Sequence, residues 1–425
     1  MAKMGMSTSG VRLAVLSAEF LIICLNNDND KRGKIMIKKN IFKKIAACVM
    51  IAVMAVSVAA CGSTNADSNN KAVNEASQYS GKLELGHSVE FKYAKNISID
   101  VYKCGYKMIK ITQNNPFLVV PEGMAVPTDI GSDVCVLQQP IDNTIVSSTP
   151  TMSLLNSLGC LDKVALTTTD KNGWYIDNVK NKLESGDILY IGSYQAPDYE
   201  MIAASGSTFG VFSTMLKDEV ADKLKQLNVN YILDQSSAEN HPLGRTEWIK
   251  LYGALFNKEA EADKHFAEQE KLVADIQNTS KSTDKTVAVF YITSKGDLYA
   301  RNSDDYMTKM VTLAGGKYVL DGKVGVGKTG TTKMEAEAFY SSAKDADIII
   351  YIWSMGGKPA TIADLVAKSE VLGDMKAVKD GSVWCTTADF FQTSSTIGNI
   401  ISDISKVVSS TDSNTDKYTY LFKLK

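Results

Sequence analysis

Arginine is the scarce cation of this sequence, and two arginines stand where a ligand site could form. Only four of the 46 lysine and arginine residues are arginine, at positions 12, 32, 245 and 301. Where lysine is the usual cation, an arginine indicates planar, bidentate recognition of a carboxylate or a similar group. Arg245 lies at the entrance to a long helical segment, and Arg301 follows an apolar strand, where ligand sites of α/β proteins gather. We predict that both bind a ligand; the alternative is that each is an ordinary surface arginine.

Aromatic side chains near comparable strand ends could stack on a flat or chelated ligand. The predicted ligand-binding aromatics are Trp174, Tyr175, Tyr194 and Tyr299. Further aromatics at similar edges are Trp353, Phe390 and Phe391. Trp174 is the best candidate, because Asn172 and Gly173 place it in a loop. The alternative is that these rings belong to the hydrophobic core.

Residues 322–329 match the phosphate-binding pattern G-x-x-x-x-G-K-[ST] letter for letter. A phosphate loop needs a helix that begins at the Gly-Lys-Thr, so that its first amides face the phosphates. Here residues 330–332 read Gly-Thr-Thr, which delays a helix, and no strand ending in aspartate supplies a magnesium ligand. Nucleotide binding is therefore the disfavoured alternative.

Other chemistries find little support in the residue types. A metal-ion-binding protein is the second alternative. The three histidines, His87, His241 and His265, are widely separated in the sequence and form no cluster with carboxylates, which disfavours a zinc or manganese site. No nucleophile elbow or triad context indicates an exported hydrolase. The net charge of −2 indicates no basic surface for nucleic acid. We expect a monomer with no enzymatic activity, no cofactor and no nucleic-acid partner.

An export signal occupies residues 36–60. Four lysines between positions 38 and 44 precede an apolar run of 16 residues that ends in Val-Ala-Ala before Cys61. The run is shorter than the ~20 residues of a membrane span, and this order is that of a secretory signal. The small residues before Cys61 resemble the lipobox of bacterial lipoproteins, in which the cysteine receives the lipid. We predict a lipid anchor at Cys61 on the extracytoplasmic face of a bacterial cell membrane, a flexible tether over residues 61–82, and an upstream mis-start over residues 1–35.

The positions of the candidate site residues depend on how the remaining chain folds. Residues 83–142 read as short strands separated by turns, whereas residues 143–244 and 281–425 alternate apolar strands with helix-length segments. Such alternation predicts a parallel sheet covered by helices. Residues 245–280 carry an apolar stripe that predicts one helix from Thr246 to Asn278, ~50 Å long. The predicted fold class is α/β, with two Rossmann-like lobes joined by one long helix and a short strand-rich N-terminal segment.

Four cysteines fall in the part of the chain that is expected to fold, at positions 104, 135, 160 and 385. They include no Cys-x-x-Cys pair, so neither a zinc ribbon nor a dense disulfide framework is predicted. Cys104 and Cys135 are predicted to be two buried free thiols, with a disulfide between them as the alternative.

Five stretches, in their order and spacing, resemble the ABC-transporter substrate-binding proteins of the iron-siderophore, haem and cobalamin type. Residues 144–164 (TIVSSTPTMSLLNSLGCLDKV) look like the first strand and helix of that family, and residues 193–202 (SYQAPDYEMI) like the segment that places a glutamate at a helix start. The other three stretches, similar to later family segments, are residues 220–233, 315–318 and 377–387. One departure is Ser207-Thr208, where the family usually has Pro-Asp.

The resemblance implies a function and a set of roles. In this family an iron-siderophore, haem or a corrinoid lies between two lobes joined by a rigid helix, so lobe closure is expected to be small. One acidic residue on each lobe docks onto arginines of the ABC permease in the membrane. Glu200 matches the first of these positions; Glu335 and Glu337 both stand near the second, and we prefer Glu337. The alternative is that these are solvated carboxylates that stabilise helix N-termini.

Overall fold

The computed structural model describes residues 83–279, 283–353, 357–409 and 418–425. The predictions for residues 1–82, including the export signal and the lipid anchor at Cys61, lie outside the described residues. Among the helices in the described ranges, none combines the length and the apolar character that crossing a membrane requires.

Residues 83–142 form a five-stranded sheet, here called the N-terminal sheet. Its strands are β1 (Leu85–Ser88), β2 (Ile97–Tyr102), β3 (Lys107–Ile111), β4 (Phe117–Val120) and β5 (Cys135–Gln138). The strands lie in chain order, antiparallel except for the parallel pair β4 and β5. Alternate side chains of β2 and β3 enter a core shared with the rest of the fold, among them Ile99 and Ile109. The prediction of a strand-rich N-terminal segment is confirmed.

The sequence pattern predicts a first strand at residues 89–91, but the first strand of the structure is β1, Leu85–Ser88. The Val89 amide still donates to the Ile99 carbonyl at 2.8 Å, but the chain then leaves the sheet. The amides of Lys92, Tyr93 and Ala94 donate instead to the Glu247 carboxylate, at 2.9, 2.8 and 2.8 Å. Glu247 is 155 residues from Lys92 in the chain. A local sequence pattern does not reveal so distant a partner, so the pattern wrongly predicts a strand at residues 89–91.

The first lobe is a parallel sheet covered by helices. Its strands are β6 (Thr144–Val146), β7 (Val164–Thr167), β8 (Leu189–Tyr190), β11 (Phe209–Ser213) and β12 (Asn230–Asp234), in the order β12-β11-β6-β7-β8. After β8 comes a small antiparallel hairpin of β9 (Gly192–Ser193) and β10 (Ala196–Pro197). The helices are α1 (Thr149–Ser157), α2 (Asp177–Ser185), α3 (Tyr199–Ser205) and α4 (Asp218–Gln226).

The segment that links the lobes contains three helices: α5 (Pro242–Glu247), α6 (Ile249–Phe256) and α7 (Glu259–Thr279). The single helix predicted from Thr246 to Asn278 is therefore interrupted. Asn257 ends α6 in the left-handed conformation, with φ of 55°, which asparagine tolerates better than most residues. Gly253 lets α7 pack closely, because a Cβ there would lie 2.8 Å from the Cβ of Ala262. The 21 residues of α7, ~32 Å long, form the long helix that joins the lobes.

The second lobe has a mixed sheet, whereas the sequence predicted a parallel one. Its strands are β13 (Thr286–Ile292), β14 (Leu298–Arg301), β15 (Lys317–Tyr318), β16 (Thr331–Met334), β17 (Ile348–Tyr351), β18 (Val383–Thr386) and β19 (Leu421–Lys423). The order is β16-β14-β13-β17-β18-β19, with β15 also paired to β13; the inner strands β13, β17 and β18 are parallel. The helices are α8 (Tyr306–Leu313), α9 (Ala336–Ala343), α10 (Ile362–Val366), α11 (Lys376–Lys379) and α12 (Ile397–Ser409). Helix α12 packs against α7, which ties this lobe to the linking helix.

Two buried glutamates fasten the N-terminal sheet to the linking helices. Besides the contacts of Glu247 given above, Glu239 accepts from the amides of Lys95 and Asn96, at 2.9 and 3.0 Å, and from the Trp248 indole at 3.0 Å. Several N–H donors stabilise each of these buried carboxylates, and Lys250 also lies 3.4 Å from Glu247. The sheet is therefore held to the helices by specific polar contacts as well as by its apolar face.

The cysteines in the described part of the chain are all free thiols. Cys160 and Cys385 are buried, Cys135 is half-buried and Cys104 is exposed. The preference for free thiols over a Cys104–Cys135 disulfide agrees with the structure, but the expectation that both are buried is wrong. Cys104 lies in the turn between β2 and β3 with φ of 63°, and a hairpin turn faces solvent.

His241 is expected to make folding stability depend on pH. Burial and the nearby Lys309 lower its pKa from 6.5 to about 4. Between these values the unfolded chain binds a proton that the folded chain does not, so the stability is fully present above about pH 6.5 and is lost as the pH falls towards 4. The neutral ring accepts the Leu243 amide at 3.2 Å and stacks on Tyr93.

We expect His241→Asn, which can still cap the helix, to flatten this dependence by about 2 kcal/mol between pH 7.5 and 4.5, a value reduced for partial exposure. Urea unfolding at several pH values measures the effect. Gln226→Asn, at an exposed and non-titrating position on α4, is the control and should leave the pH slope unchanged. Equal slopes for wild type and His241→Asn would contradict the prediction.

Candidate ligand-binding site

A cavity of about 520 Å³ lies between the two lobes. The first lobe lines it with residues that follow its parallel strands: Ser147, Ser148, Thr149 and Pro150 after β6, Thr169 after β7, Ser213, Thr214 and Met215 at the end of β11, and Asp234, Ser236 and Ser237 at the end of β12. The second lobe contributes Arg301, Asp305, Tyr306, Thr329, Gly330 and Phe391. The carboxyl ends of parallel strands meet at one sheet edge, which is where α/β folds hold ligands.

Arg245 reaches this cavity from α5 as a buried cation without a carboxylate partner. The residue is 7% exposed, and its Nη1 donates to the Ser237 carbonyl at 3.0 Å. The guanidinium covers the ring of Tyr306, with Cζ 4.0 Å from the ring centroid. No carboxylate in the described part of the chain forms an ion pair with it. Burying a charge without a counter-ion is costly, so an anion in the cavity would relieve this cost.

Arg301 lines the cavity from the end of β14 and is also 7% exposed. Its Nη1 is 3.5 Å from Asp305 Oδ2, while its Nε is buried and has no hydrogen-bond partner among the described residues. Asp305 is held in turn, because it accepts the amides of Met307 at 3.0 Å and Gly330 at 2.9 Å. Arg301 is thus oriented by a fixed carboxylate and keeps one N–H donor free for a ligand.

Tyr306 lies near both guanidinium groups, with its ring centroid 4.0 Å from Arg245 Cζ and 5.9 Å from Arg301 Cζ. Burial raises the pKa of its hydroxyl, and the nearby Arg245 and Arg301 oppose that rise. The phenol is therefore neutral at physiological pH, and it supplies a ring face for Arg245 without neutralising either arginine. The cavity keeps its positive character on this side.

The first-lobe wall is rich in hydroxyl groups arranged around one buried carboxylate. Asp234 accepts from the hydroxyls of Ser148 at 2.7 Å and Thr151 at 2.8 Å and from the Ser236 amide at 2.8 Å. These bonds occupy the carboxylate. The Ser236 hydroxyl is buried and has no partner among the residues described, so it can bond to an oxygen-bearing ligand.

The predicted site residues divide into those that reach the cavity and those that do not. Arg245, Arg301 and Tyr194 line it, and Tyr194 stands between the strands of the β9–β10 hairpin. Phe391 also lines it, whereas the cavity lining includes neither Phe390 nor Trp353.

Trp174, Tyr175 and Tyr299 lie away from the cavity, so the structure does not support their predicted role. Trp174 is 1% exposed, and its indole donates to the Thr169 carbonyl at 3.0 Å, which fixes the ring beneath its loop. Tyr175 is exposed outside the cavity. Tyr299 stacks on Tyr291 with ring centroids 5.2 Å apart. Loop position alone did not reveal the direction in which these rings point.

The phosphate-loop pattern at residues 322–329 folds as a glycine-rich turn followed by the strand β16, not by a helix. Two amides of this segment already donate to carboxylates: Gly327 to Asp304 at 2.7 Å and Gly330 to Asp305 at 2.9 Å. Carboxylates at these amides exclude an anion from them. In the described ranges, no three residues among His, Cys, Asp and Glu are grouped closely enough to hold a metal ion.

The two predicted docking carboxylates occupy equivalent places in the two lobes. Glu200 lies in the first turn of α3, which leads into β11, and β11 pairs with β6, the first strand of its lobe. Glu337 lies in the first turn of α9, which leads into β17, and β17 pairs with β13, the first strand of the second lobe. Both side chains are exposed. Glu335 precedes α9 and is exposed as well.

Several cavity residues escaped the sequence prediction, notably Asp234, Asp305 and Tyr306. A signal for Asp305 was present, because an aspartate before an apolar helical stretch is a strong N-cap residue. In the structure Asp305 is the N-cap of α8, where its side chain accepts the Met307 amide. No comparable signal marks Asp234, whose position depends on how β12 lies beside β11.

Two α/β lobes, a long linking helix and a cleft lined by both lobes define a bilobal binding protein. A sequence profile of the periplasmic binding protein family matches residues 146–389, more than half of the chain, and the chain belongs to this family. Among curated proteins, it is 25% identical over 376 residues to an uncharacterized lipoprotein of Methanocaldococcus jannaschii, covering 82% of this chain and 89% of that one.

Solved structures agree with this fold. One is the petrobactin-binding protein YclQ of Bacillus subtilis, with 15% identity, a TM-score of 0.51, and coverage of 63% of this chain and 92% of that one. Another is a periplasmic heme binding protein of Pseudomonas aeruginosa, with 12% identity, a TM-score of 0.51, and coverage of 67% and 98%. The predicted resemblance and fold class are confirmed, and the family is one of substrate-binding proteins.

Proposed function

We propose that this chain is the extracytoplasmic substrate-binding component of an ABC importer, and that it captures an anionic iron chelate, a ferric siderophore or haem, between its lobes. The observation that carries the proposal is Arg245, a buried guanidinium without a carboxylate partner in the described part of the chain, facing the cavity between the lobes. A site that already bears the cost of an uncompensated charge gains most from an anionic ligand.

The chemistry of the cavity favours an oxygen-bearing anion. Arg301 Nε and the Ser236 hydroxyl are buried polar groups without partners among the residues described, and both residues line the cavity. Ferric siderophores and haem carry carboxylate or phenolate oxygens that can pair with such groups. A corrinoid such as cobalamin carries mostly neutral amide groups and a single phosphodiester, so we place corrinoids last. The petrobactin-binding protein and the heme binding protein that share this fold support an iron chelate as the class of ligand.

Titration calorimetry with a fixed panel tests this proposal. The probes are a ferric catecholate, a ferric hydroxamate, ferric citrate, haem and cyanocobalamin, with ATP-Mg and zinc as competitors from the rival functions. We expect saturable binding of one iron chelate at one molecule per chain. Saturable binding of ATP-Mg or zinc, with none of the iron chelates bound, would contradict the proposal.

Delivery to a permease is the second half of the proposed function. Glu200 and Glu337 are exposed on matching helices of the two lobes, so a permease that contacts both carboxylates would sense the spacing of the lobes. We further propose that the protein acts as a monomer, held at the outer face of the membrane by a lipid on Cys61. The lipoprotein name of the curated relative supports that anchor.

We expect the double variant Glu200→Gln with Glu337→Gln to lower ligand-stimulated ATPase activity of the cognate permease about tenfold in proteoliposomes, because two charged contacts are lost. Ligand affinity should not change. The matched control replaces exposed carboxylates elsewhere on the same two lobes, Glu219→Gln with Asp345→Asn. Full ATPase stimulation by the double variant would contradict the docking roles.

A further inference from the structure

We propose that Gln392 of the second lobe braces the first lobe and so fixes the spacing of the two lobes in the unliganded protein. The side-chain amide of Gln392 bonds to a loop of the first lobe through both its nitrogen and its oxygen. Its Nε2 donates to the Gly173 carbonyl at 2.6 Å, and its Oε1 accepts the Tyr175 amide at 2.9 Å. The residue is 9% exposed. Two bonds to backbone atoms fix both the distance and the direction of the contact.

The receiving loop on the first lobe is rigid. It forms a short 3-10 helix, Lys171–Gly173, which Asp170 caps by accepting the Asn172 amide at 2.9 Å. The next residue, Trp174, is buried and anchors the loop through its bond to the Thr169 carbonyl. The loop in which the sequence predicted Trp174 and Tyr175 as ligand contacts therefore bonds to Gln392 of the other lobe.

The segment that carries Gln392 is also held across the lobes at other points. It contains two 3-10 helices, Phe390–Gln392 and Ser394–Thr396, and leads directly into α12. The hydroxyls of Ser395 and Ser153 lie 2.9 Å apart, across the two lobes. The Ser394 carbonyl accepts the Thr246 hydroxyl of α5 at 2.8 Å. These contacts and the Gln392 bonds form a continuous seam that runs from the linking helices to the edge of the cavity.

Because the seam lies beside the cavity, it affects both ligand capture and delivery to the permease. Phe391 lines the cavity and is the immediate neighbour of Gln392, so the brace sets the width of the cavity as well as the lobe spacing. A fixed spacing pre-organises the arginines before the ligand arrives and holds Glu200 and Glu337 at one separation. This last consequence rests on the proposed function; the brace itself does not.

Pulsed electron–electron double resonance on the full chain, without ligand or permease, measures the lobe spacing. Nitroxides are attached at Ala204→Cys on α3 and Ala338→Cys on α9, both exposed positions. Cysteine is replaced by serine at positions 23, 48, 61, 104 and 135, whereas the buried Cys160 and Cys385 are kept. We expect one narrow distance distribution for the parent protein.

Gln392→Ala should broaden that distribution and shift it to longer distances, because both bonds across the lobes are lost. Gln392→Glu keeps the acceptor for the Tyr175 amide but loses the donor to Gly173, so an intermediate width is expected; it also serves if the alanine variant does not fold. Gln226→Ala, on the surface of α4, is the control and should leave the distribution unchanged.

A parent-like distribution in the Gln392 variants, even with a lower unfolding midpoint, would show a merely local packing role and overturn the proposal. Since no ligand or permease is present, the brace can fail while the proposed function stands. A broad distribution in the variants together with a failed ligand panel would leave the brace supported and the proposed function contradicted.

Discussion

Replacing Glu247 with alanine is expected to lower the free energy of unfolding by about 4 kcal/mol, because it leaves buried donors without a partner. The carboxylate is buried and accepts the amides of Lys92, Tyr93 and Ala94 between 2.8 and 2.9 Å. Lys250 approaches it at 3.4 Å. The same change detaches the entry to the N-terminal sheet from α5, so apolar contacts of that sheet weaken as well.

Urea unfolding followed by circular dichroism measures this effect. Glu247→Gln keeps the shape but replaces one acceptor oxygen with a donor that opposes the amides, so it should also destabilise strongly. Glu268→Ala is the matched control, since that glutamate is exposed on α7 and exposed sites change stability by less than about 0.5 kcal/mol. A loss below about 1 kcal/mol for Glu247→Ala, the ordinary effect of a point mutation, would show that water satisfies the three amides.

Replacing either cavity arginine with methionine is expected to weaken binding of the iron chelate about 10- to 150-fold, since a hydrogen bond to a charged group contributes about 1.5–3 kcal/mol. The two variants should differ in stability. Arg245→Met removes a buried charge that has no carboxylate partner in the described chain, so the empty protein should become about 1 kcal/mol more stable. Arg301→Met removes the ion partner of the buried Asp305, so the empty protein should become less stable.

The affinity is measured by calorimetric titration with the chelate that wild type binds, and the stability by urea unfolding without ligand. Arg245→Lys keeps the charge but not the planar pair of donors, and it should recover only part of the affinity. Lys323→Met changes an exposed cation of the glycine-rich turn and should alter neither quantity. Unchanged affinity in both arginine variants would remove the arginines from the site; a destabilised empty Arg245→Met would show that the charge is compensated.

Much of the fold could be predicted from the sequence, because local patterns determine it. The apolar run at residues 287–292 predicts a strand, and the strand is Thr286–Ile292. The amphipathic stretch at residues 397–408 predicts a helix, and the helix is Ile397–Ser409. The single linking helix was predicted too long, because the apolar stripe continues through Asn257 while the backbone there turns left-handed. Periodicity records which side chains are buried, not where the helix axis changes direction.

The candidate site could be predicted only in part. Arg245 and Arg301 stood out by residue type, and both line the cavity. Trp174 stood out in the same way, but its ring turns into the core because the Thr169 carbonyl holds the indole. The roles of Asp234, Glu247 and Gln392 depend on partners that are distant in sequence. Contacts of this kind leave no local pattern in one sequence.

Blocking the cavity tests the central claim most directly, namely that the ligand lies between the lobes. Ser213→Trp places a large ring at the carboxyl end of β11, where the half-buried Ser213 lines the cavity. Thr208→Trp places the same ring just before the other end of that strand, at an exposed position outside the cavity. Calorimetric titration with the iron chelate that wild type binds should show no saturable binding to Ser213→Trp and wild-type affinity for Thr208→Trp. Wild-type affinity in a folded Ser213→Trp protein would contradict the account and place the ligand elsewhere.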